Sequence, residues 1–384
     1  MSNLSASTLV APPRDLIEFS ARVRGLIQSV DLTAALAVAP EPVVSPLAAE
    51  KFDALALELF ALQFQHNTAY ARVCTARQLV PATVRFWAQV PFVPTSAFKE
   101  LELSSIPAPA RSAVFHSSGT TEQKPSRHFH NADSLAVYEA SLWRWFQPHV
   151  NADEILCLTP AAEVVPRSSL VHMFEIVRQR LAQPGAPASV SPFVGTVDGD
   201  GAWTLDFAAT LARLQAAIDS ARPVTLLGTA FSFVHLLDFL AEKNLRLRLP
   251  AASRVMETGG YKNRSRVLPK MELHALIRER LGVEQIICEY GMSELSSQAY
   301  DRPAAGGERV FHFPPWARVQ IISPETGHEV AEGETGIIRI FDLANIFSVA
   351  AIQTEDLGVR RGDGFELVGR AALAEPRGCS LMTS

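Results

Sequence analysis

Between about residues 112 and 290, short apolar runs alternate with helical patterns, and no other feature of the sequence restricts the fold as much. Runs of strand length fall at 112–116, 154–158, 223–227, 254–257 and 285–288. Helical patterns lie between several of them, as at 133–146 (Leu135, Tyr138, Leu142, Trp145) and 269–281. Strands of this kind separated by helices predict an α/β architecture with buried sheets. The texture changes toward the C-terminus. Residues 318–323 and 335–341 are β-rich and flank the turn-rich segment 324–333, which predicts an antiparallel hairpin or small β-subdomain.

Upstream, Leu16, Phe19, Val23, Leu26 and Val30 recur at helical spacing, so an amphipathic helix is expected over 15–30. A proline-punctuated stretch at 40–46 ends it, and a second helical pattern runs from 49 to about 67. The segment VPFVPTSAFK at 90–99 has prolines three apart, which excludes a regular helix and predicts an extended path. No internal repeat or low-complexity segment is present.

Composition narrows the function classes. The chain has 384 residues, 48% hydrophobic and 20% charged, enough for one large domain or two to three lobes around a buried core. Its 35 Lys and Arg against 40 Asp and Glu leave a net charge of −5, which does not favour a nucleic acid or an anionic membrane as partner. Cys74, Cys157, Cys288 and Cys379 form no C-x-x-C pair, which argues against a disulfide framework or zinc site and for a reducing compartment. Residues 1–13 lack the order of a signal peptide, and no apolar run is long enough to span a bilayer. A cytoplasmic location is expected.

Four segments carry chemistry-bearing residues. FHSSGTTEQKPSRH at 115–128 sets Ser117, Ser118, Thr120 and Thr121 around Gly119, directly after a strand-like run. Small hydroxyl donors, a pliant backbone and exposed N–H groups suit a phosphate-cradling loop. Lys124, Arg127 and His128 add positive charge; the alternative is a polar surface turn. It is not a Walker A loop. Glu257-Thr258-Gly259-Gly260 follows another strand-like run and leads into the basic cluster Lys262, Arg264 and Arg266. Paired glycines admit a close approach by a flat ring; a turn with a solvated charged face is the alternative. Glu289-Tyr290-Gly291-Met292-Ser293-Glu294 closes the 285–288 run, where ligands bind in open α/β sheets. Glu294 offers Mg²⁺ a hard oxygen ligand, or equally caps a helix. Asp356, in Thr354-Glu355-Asp356-Leu357-Gly358, can accept both ribose hydroxyl protons, and Arg370 can meet phosphate or sugar.

Taken together in this order, VPFVPTSAFK, HSSGTTEQKPSRH, ETGGYKNRSR, EYGMSELSSQAYD and the 354–370 region resemble the core motifs of the adenylate-forming superfamily of acyl-CoA synthetases, adenylation domains and luciferases. Within it they are most similar to the acyl-protein synthetases of the LuxE type. The resemblance runs from about residue 90 to the C-terminus. It implies the large N-terminal domain of an adenylate-forming enzyme, with stacked αβ subdomains and a small β-subdomain. Residues 1–90 would be a helical region packing on the core, 91–370 the core with its β-rich part near 310–370, and 371–384 a flexible tail.

The resemblance also implies roles. Ser117, Ser118, Gly119, Thr120 and Thr121, with Lys124 nearby, would hold the β- and γ-phosphates of ATP. Glu257, Thr258, Gly259 and Gly260 would line the adenine site, with Tyr290 stacking nearby and Gly291 beside it. Ser293 and Glu294 would approach the α-phosphate and Mg²⁺. Asp356 would bind the ribose, and Arg370 would sit at the hinge ending the large domain. His128 would touch the acyl carboxylate or phosphate, or serve as a hydrogen-bonded structural histidine. Phe231, Phe233 and His235 are wall candidates for the acyl pocket. Cys379 would accept the acyl group from the adenylate. It lies nine residues beyond Arg370, so an extended tail reaches ~30 Å, and Arg377 would raise its thiolate fraction.

Two departures stand out. Glu122 occupies a position where the family commonly has glycine. A carboxylate facing phosphate at ~4 Å would cost roughly 4 kcal/mol per charge pair at an effective dielectric near 20, so Glu122 is expected to point outward or pair with Lys124. Only 14 residues follow Arg370, so the mobile C-terminal domain of larger relatives, with its catalytic lysine, is expected to be missing. Lys262, Arg264 and Arg266 are then the candidates for charge neutralisation. The expected activity is activation of a carboxylic acid, a fatty acid by family expectation, to acyl-AMP. Transfer to Cys379 and then to a partner such as an acyl-protein reductase would follow. An acyl- or aryl-CoA or carrier-protein ligase using an external thiol, with acyl carrier protein as one acceptor, and a non-catalytic nucleotide-binding regulator are the alternatives.

Overall fold

The fold is that of a computed structural model describing residues 11–36, 47–117, 124–182, 191–199, 201–259, 268–304 and 308–370. Its strands, in chain order, are β1 (Val93–Pro94), β2 (Ala113–His116), β3 (Arg127–His130), β4 (Ile155–Cys157), β5 (Gly195–Val197), β6 (Trp203–Leu205), β7 (Thr225–Thr229), β8 (Arg254–Thr258), β9 (Gln285–Tyr290), β10 (Ala299–Pro303), β11 (Arg309–His312), β12 (Ala317–Ile322), β13 (Thr335–Asp342), β14 (Ala351–Arg361) and β15 (Gly364–Arg370). A mixed sheet runs β12-β13-β14-β15-β11-β10-β9-β8-β7-β4, with β1 paired to β14. The block β4-β7-β8-β9 is parallel and everything beyond it is antiparallel, apart from the short β1–β14 pair.

Alternation along the parallel strands explains the layering. Leu156, Leu226, Val255 and Ile286 face one way and pack with Leu214, Leu237 and Ile277 from helices Phe207–Asp219, Ala230–Glu242 and Lys270–Leu281. Cys157, Leu227 and Met256 face the other way and pack with Trp145, Phe146 and Phe174 from helices Ala132–Val150 and Ser169–Leu181. Strands covered on both faces read as unbroken apolar runs, which is how they appear in the sequence.

The helix Ala132–Val150 starts where Asn131 accepts from the Ser134 amide at 2.8 Å while the Ser134 hydroxyl accepts from the Asn131 amide at 2.8 Å. Such a reciprocal cap satisfies two otherwise orphaned donors. The N-terminal helix Arg14–Ser29 packs on that helix. The helix Ala49–His66 lies on the β-rich part, where Gln63 donates to the carbonyls of Asn345 and Ile346 and accepts from the Ala350 amide. Phe52 and Trp87 meet Phe341 edge-on nearby.

Two sequence expectations need correction. The 112–116 run does not enter the buried sheet. As β2 it pairs with β3 in a separate two-stranded ribbon, because only Phe115 of its four residues is fully buried. The 90–99 segment is extended only through β1; past Pro94 every residue regains its amide donor, and Ala97–Glu100 makes a helical turn. The hairpin expected near 318–341 is present as β12 and β13, in antiparallel register from Ala317–Asp342 to Ile322–Ile337.

Candidate active site

The ribbon β2–β3 presents the hydroxyl-rich loop. Its stem is closed by the Ser126 amide donating to Ser117 Oγ at 3.0 Å. Residues 118–123 between them, including Ser118, Gly119, Thr120, Thr121 and Glu122, lie outside the described residues, as do Gly260, Lys262, Arg264, Arg266 and Cys379. Lys124 is exposed and sits 3.5 Å from Glu100.

From the stem a chain of contacts runs to the segment after β9. Ser126 Oγ lies 3.4 Å from Ser293 Oγ, and Ser293 Oγ donates to Glu294 Oε2 at 2.9 Å. His128 Nδ1–H donates to the Ser293 carbonyl at 2.7 Å. The imidazole is buried, and burial lowers its pKa to about 4 against the bonds to Ser293 and Asn345. His128 is therefore neutral at physiological pH, a fixed donor rather than a titrating base. Asn345, which the sequence did not single out, donates to the carbonyls of Glu294 and Val349, both at 2.8 Å. Asp342 accepts from the Ser296 amide and the Ser297 hydroxyl. The segment bearing Ser293 and Glu294 is thus tied to β3 on one side and to the β13–β14 connection on the other.

Glu294 is buried, its side chain accepts from Ser293, and among the described residues no basic side chain pairs with it. A buried carboxylate without a counter-charge is costly, so a hard divalent cation fits this position.

Tyr290 at the end of β9 donates from Oη to Oδ2 of Asp356, midway along β14, at 2.8 Å, and Nε of Arg370 at the end of β15 is 3.8 Å from Asp356 Oδ1. Burial raises the Asp356 pKa, opposed by the Tyr290 bond and Arg370. The Asp356 amide donates to Thr354 Oγ1, and Thr354 Oγ1 donates to the Ile338 carbonyl, which fixes the turn of β14. The Tyr290 ring is buried edge-on against Phe311, Phe313 and Phe365. Its contact with the site is chiefly through the hydroxyl.

Side-chain alternation sorts the 257–259 segment. Glu257 faces the helix Lys270–Leu281, where its carboxylate accepts from Cys288 Sγ at 3.0 Å. Thr258 faces the other side and bonds to the Glu289 side chain. Among the described residues no atom lies within 4 Å of where a Cβ on Gly259 would sit, which leaves that side of its backbone open to a ligand. Glu289, which opens its motif but to which the sequence assigns no role, is buried, and burial raises its pKa to about 7. A Cβ on Gly291 would lie 2.4 Å from Glu289 Oε1, so a larger residue there would push that carboxyl aside. The helix Ala230–Glu242 begins after β7 with Thr229 as its cap. Phe231 and Phe233 are buried on it, and the Phe231 ring lies 4.2 Å from that of His235.

With this geometry established, the comparisons become specific. The family described as "Acyl-protein synthetase, LuxE" matches residues 44–384. The chain belongs to this acyl-protein synthetase family. A long-chain-fatty-acid–luciferin-component ligase of Aliivibrio fischeri is 25% identical over 353 residues, covering 86% of each chain. One of the same description from Vibrio harveyi is 24% identical over 191 residues, 47% of this chain and half of that one. Among solved structures, a 2-hydroxyisobutyryl-CoA ligase in an open conformation, in complex with 2-HIB-AMP and CoA, superposes with a TM-score of 0.62 at 13% identity, over 84% of this chain and 74% of that one. The same enzyme in the postadenylation state gives 0.60 at 14% identity, over 84% and 67%. These likenesses show the fold. The chain shares the fold of this CoA ligase. None of its described helices is long and apolar enough to cross a membrane.

Proposed function

We propose that this synthetase activates a carboxylic acid with ATP to an acyl-adenylate and passes the acyl group to a thiol. The observation that carries the reading is the line of hydroxyl, carboxylate and imidazole groups from the Ser117–Ser126 stem through Ser293 to Glu294, with the Tyr290–Asp356 pair joining the end of β9 to β14. In this reading the 117–121 loop, with Lys124, holds the terminal phosphates. Residues 258–260 and Gly291 border the adenine, while the Glu257 side chain expected there turns to the opposite face; Asp356 accepts from the ribose, and Arg370 flanks it. A carboxylate oxygen of the acid attacks the α-phosphorus, the bond to the bridging oxygen breaks, and pyrophosphate leaves.

Glu294 and the hydroxyl of Ser293 would hold Mg²⁺, which when bound offsets charge on the phosphate oxygens. His128, neutral and fixed, keeps Ser293 in place, so positioning is its part of the work. Lys262, Arg264 and Arg266 would meet the charge developing at phosphorus. Residues 1–90 pack on the adenylating core 91–370, and 371–384 carry Cys379 as acceptor arm. Long-chain fatty acids are the favoured substrate, because the Aliivibrio and Vibrio relatives are named as ligases of such acids. From Cys379 the acyl group would go to a partner protein such as an acyl-protein reductase or acyl carrier protein.

The test is carboxylate-dependent ATP–pyrophosphate exchange over fatty, short-chain and aryl acids, followed by capture of labelled acyl on the protein. The expected result is exchange with fatty acids in wild type and in Cys379→Ser, with label lost only in the variant. Label retained in Cys379→Ser would move the acceptor elsewhere. Absence of exchange with every acid, while ATP still binds, would leave a nucleotide-binding regulator.

A further inference from the structure

Glu257 on β8 and Cys288 on β9 are register partners, so their side chains leave the sheet side by side on the face covered by the helix Lys270–Leu281. His274 comes down from that helix between them. Cys288 Sγ is 3.0 Å from Glu257 Oε1 and 3.7 Å from His274 Nε2, and His274 Nε2 is 3.5 Å from Glu257 Oε1. All three residues are buried. No step in the proposed chemistry uses the thiol or the imidazole.

We propose that Glu257, His274 and Cys288 form a zinc site. Zinc takes thiolate, imidazole and carboxylate ligands at about 2.3, 2.0–2.1 and 2.0–2.2 Å, which at tetrahedral angles separates the donor atoms by about 3.3–3.6 Å. The three separations here bracket that range, so side-chain adjustments of a few tenths of an ångström suffice. The donor set is borderline-soft and selects zinc over magnesium or calcium. Binding at Cys288 displaces the thiol proton to solvent, and Zn²⁺ then balances one thiolate and one carboxylate with neutral imidazole.

Without a cation the surroundings favour the thiol: burial and the carboxylates of Glu257 and Asp301 push the Cys288 pKa up, with Lys270 opposing, so ionisation there depends on the bound ion. Lys270 is hydrogen-bonded to the Cys288 side chain and held 3.0 Å from Asp301. Asp301 accepts from the Cys288 amide and from Arg309. An ammonium donating to a metal-bound sulfur is the kind of outer contact that fixes a ligand and supports its ionised form. Among the described residues three ligands are present, so the fourth position would hold water. Buried as it is, the ion would tie the helix Lys270–Leu281 to β8 and β9.

The experiment uses the untagged full chain with Cys379→Ser as background, so that the other candidate thiol cannot contribute. Zinc is measured by mass spectrometry after gel filtration, and Co²⁺ is titrated into chelator-treated protein. The expected result is stoichiometric zinc and a thiolate-to-cobalt charge-transfer band with the d–d pattern of a tetrahedral ion. Both should be lost in His274→Ala and Cys288→Ser. Zinc at background level with no charge-transfer band in the parent protein would overturn the proposal, as would a band that persists in Cys288→Ser. If either variant fails to fold, the cobalt spectrum of the parent protein decides alone.

Discussion

The Nδ1–H of His128 reaches the main-chain oxygen of Ser293 at 2.7 Å, joining the ribbon that carries the hydroxyl-rich loop to the segment that carries Glu294. One imidazole therefore sets the distance between two groups proposed to face the same triphosphate. Removing it leaves a buried carbonyl without its donor, a loss of about 1–3 kcal/mol. His128→Ala is expected to lower the exchange rate tenfold or more while circular dichroism stays native. Because His128 is neutral far above its pKa of about 4, the pH–rate profile should keep its shape. A missing limb in the variant's profile would mean that His128 acts by proton transfer instead.

The buried histidines also set the acid limit of the fold. Burial lowers His128 and His149 to about 4 and His130 well below its ordinary value. A base whose folded pKa is depressed adds stability that is full above about 6.5 and is lost as pH falls through about 4. Urea midpoints are expected to decline across that window. His149 packs on Trp145 and Tyr300 away from the loop, so His149→Gln should flatten the decline, by up to about 3 kcal/mol between neutral pH and pH 4. An unchanged slope would place the acid-sensitive groups elsewhere.

Glu289 works in the opposite sense. Its pKa is raised to about 7 by burial, so its contribution is full below about 4.5 and is lost as pH rises through about 7. Glu289→Gln keeps the shape and removes the ionisation. The variant should match wild type in stability near pH 4.5 and exceed it by up to about 3 kcal/mol above pH 7.5. Urea titrations at the two pH values check this, and equal offsets at both would show that Glu289 does not ionise there.

The Gly291 backbone and the Glu289 carboxyl compete for one space. Gly291→Ala would set its Cβ 2.4 Å from Glu289 Oε1, so either that buried carboxyl or the chain leading to Ser293 must move. Exchange activity should fall at least tenfold, and Glu289→Ala in the same chain should restore part of it. Failure of the second change to restore anything would trace the defect to the backbone alone.

The sequence made the parallel strands legible, because a strand covered on both faces is a simple apolar run, and with them two of the five helices that cover them, Ala132–Val150 and Lys270–Leu281. It also made legible the order of the motifs, several of which follow a strand, as 117–121 follows β2 and 291–294 follows β9. It did not show that β2 leaves the main sheet, because Phe115 and its neighbours read like any short apolar run. Asn345 and Asp342 were missed for another reason: they lie some 50 residues beyond the segment they hold, and a lone polar residue among apolar ones carries no spacing signal. Cys288 stands in an apolar strand run, where a cysteine packs as a small hydrophobe. Its neighbours Glu257 and His274 come from other elements, and only the register of β8 and β9 brings the three together.

Asp356 depends on Tyr290 for its orientation. The phenol donates to Oδ2 at 2.8 Å, while burial raises the carboxyl's pKa and the phenol lowers it. Tyr290→Phe keeps the ring among Phe311, Phe313 and Phe365 and removes only the donor. A neutral hydrogen-bond donor to a carboxylate contributes roughly 1 kcal/mol or more, so the KM for ATP should rise about fivefold with little change in kcat. The acid limb of kcat/KM for ATP should also move to higher pH, since the carboxyl loses a bond that favours its ionised form. Asp356→Asn should raise KM further and abolish that limb. A Tyr290→Phe enzyme with wild-type KM and an unshifted limb would show that the phenol does not orient the carboxyl, and would leave Arg370 to do so.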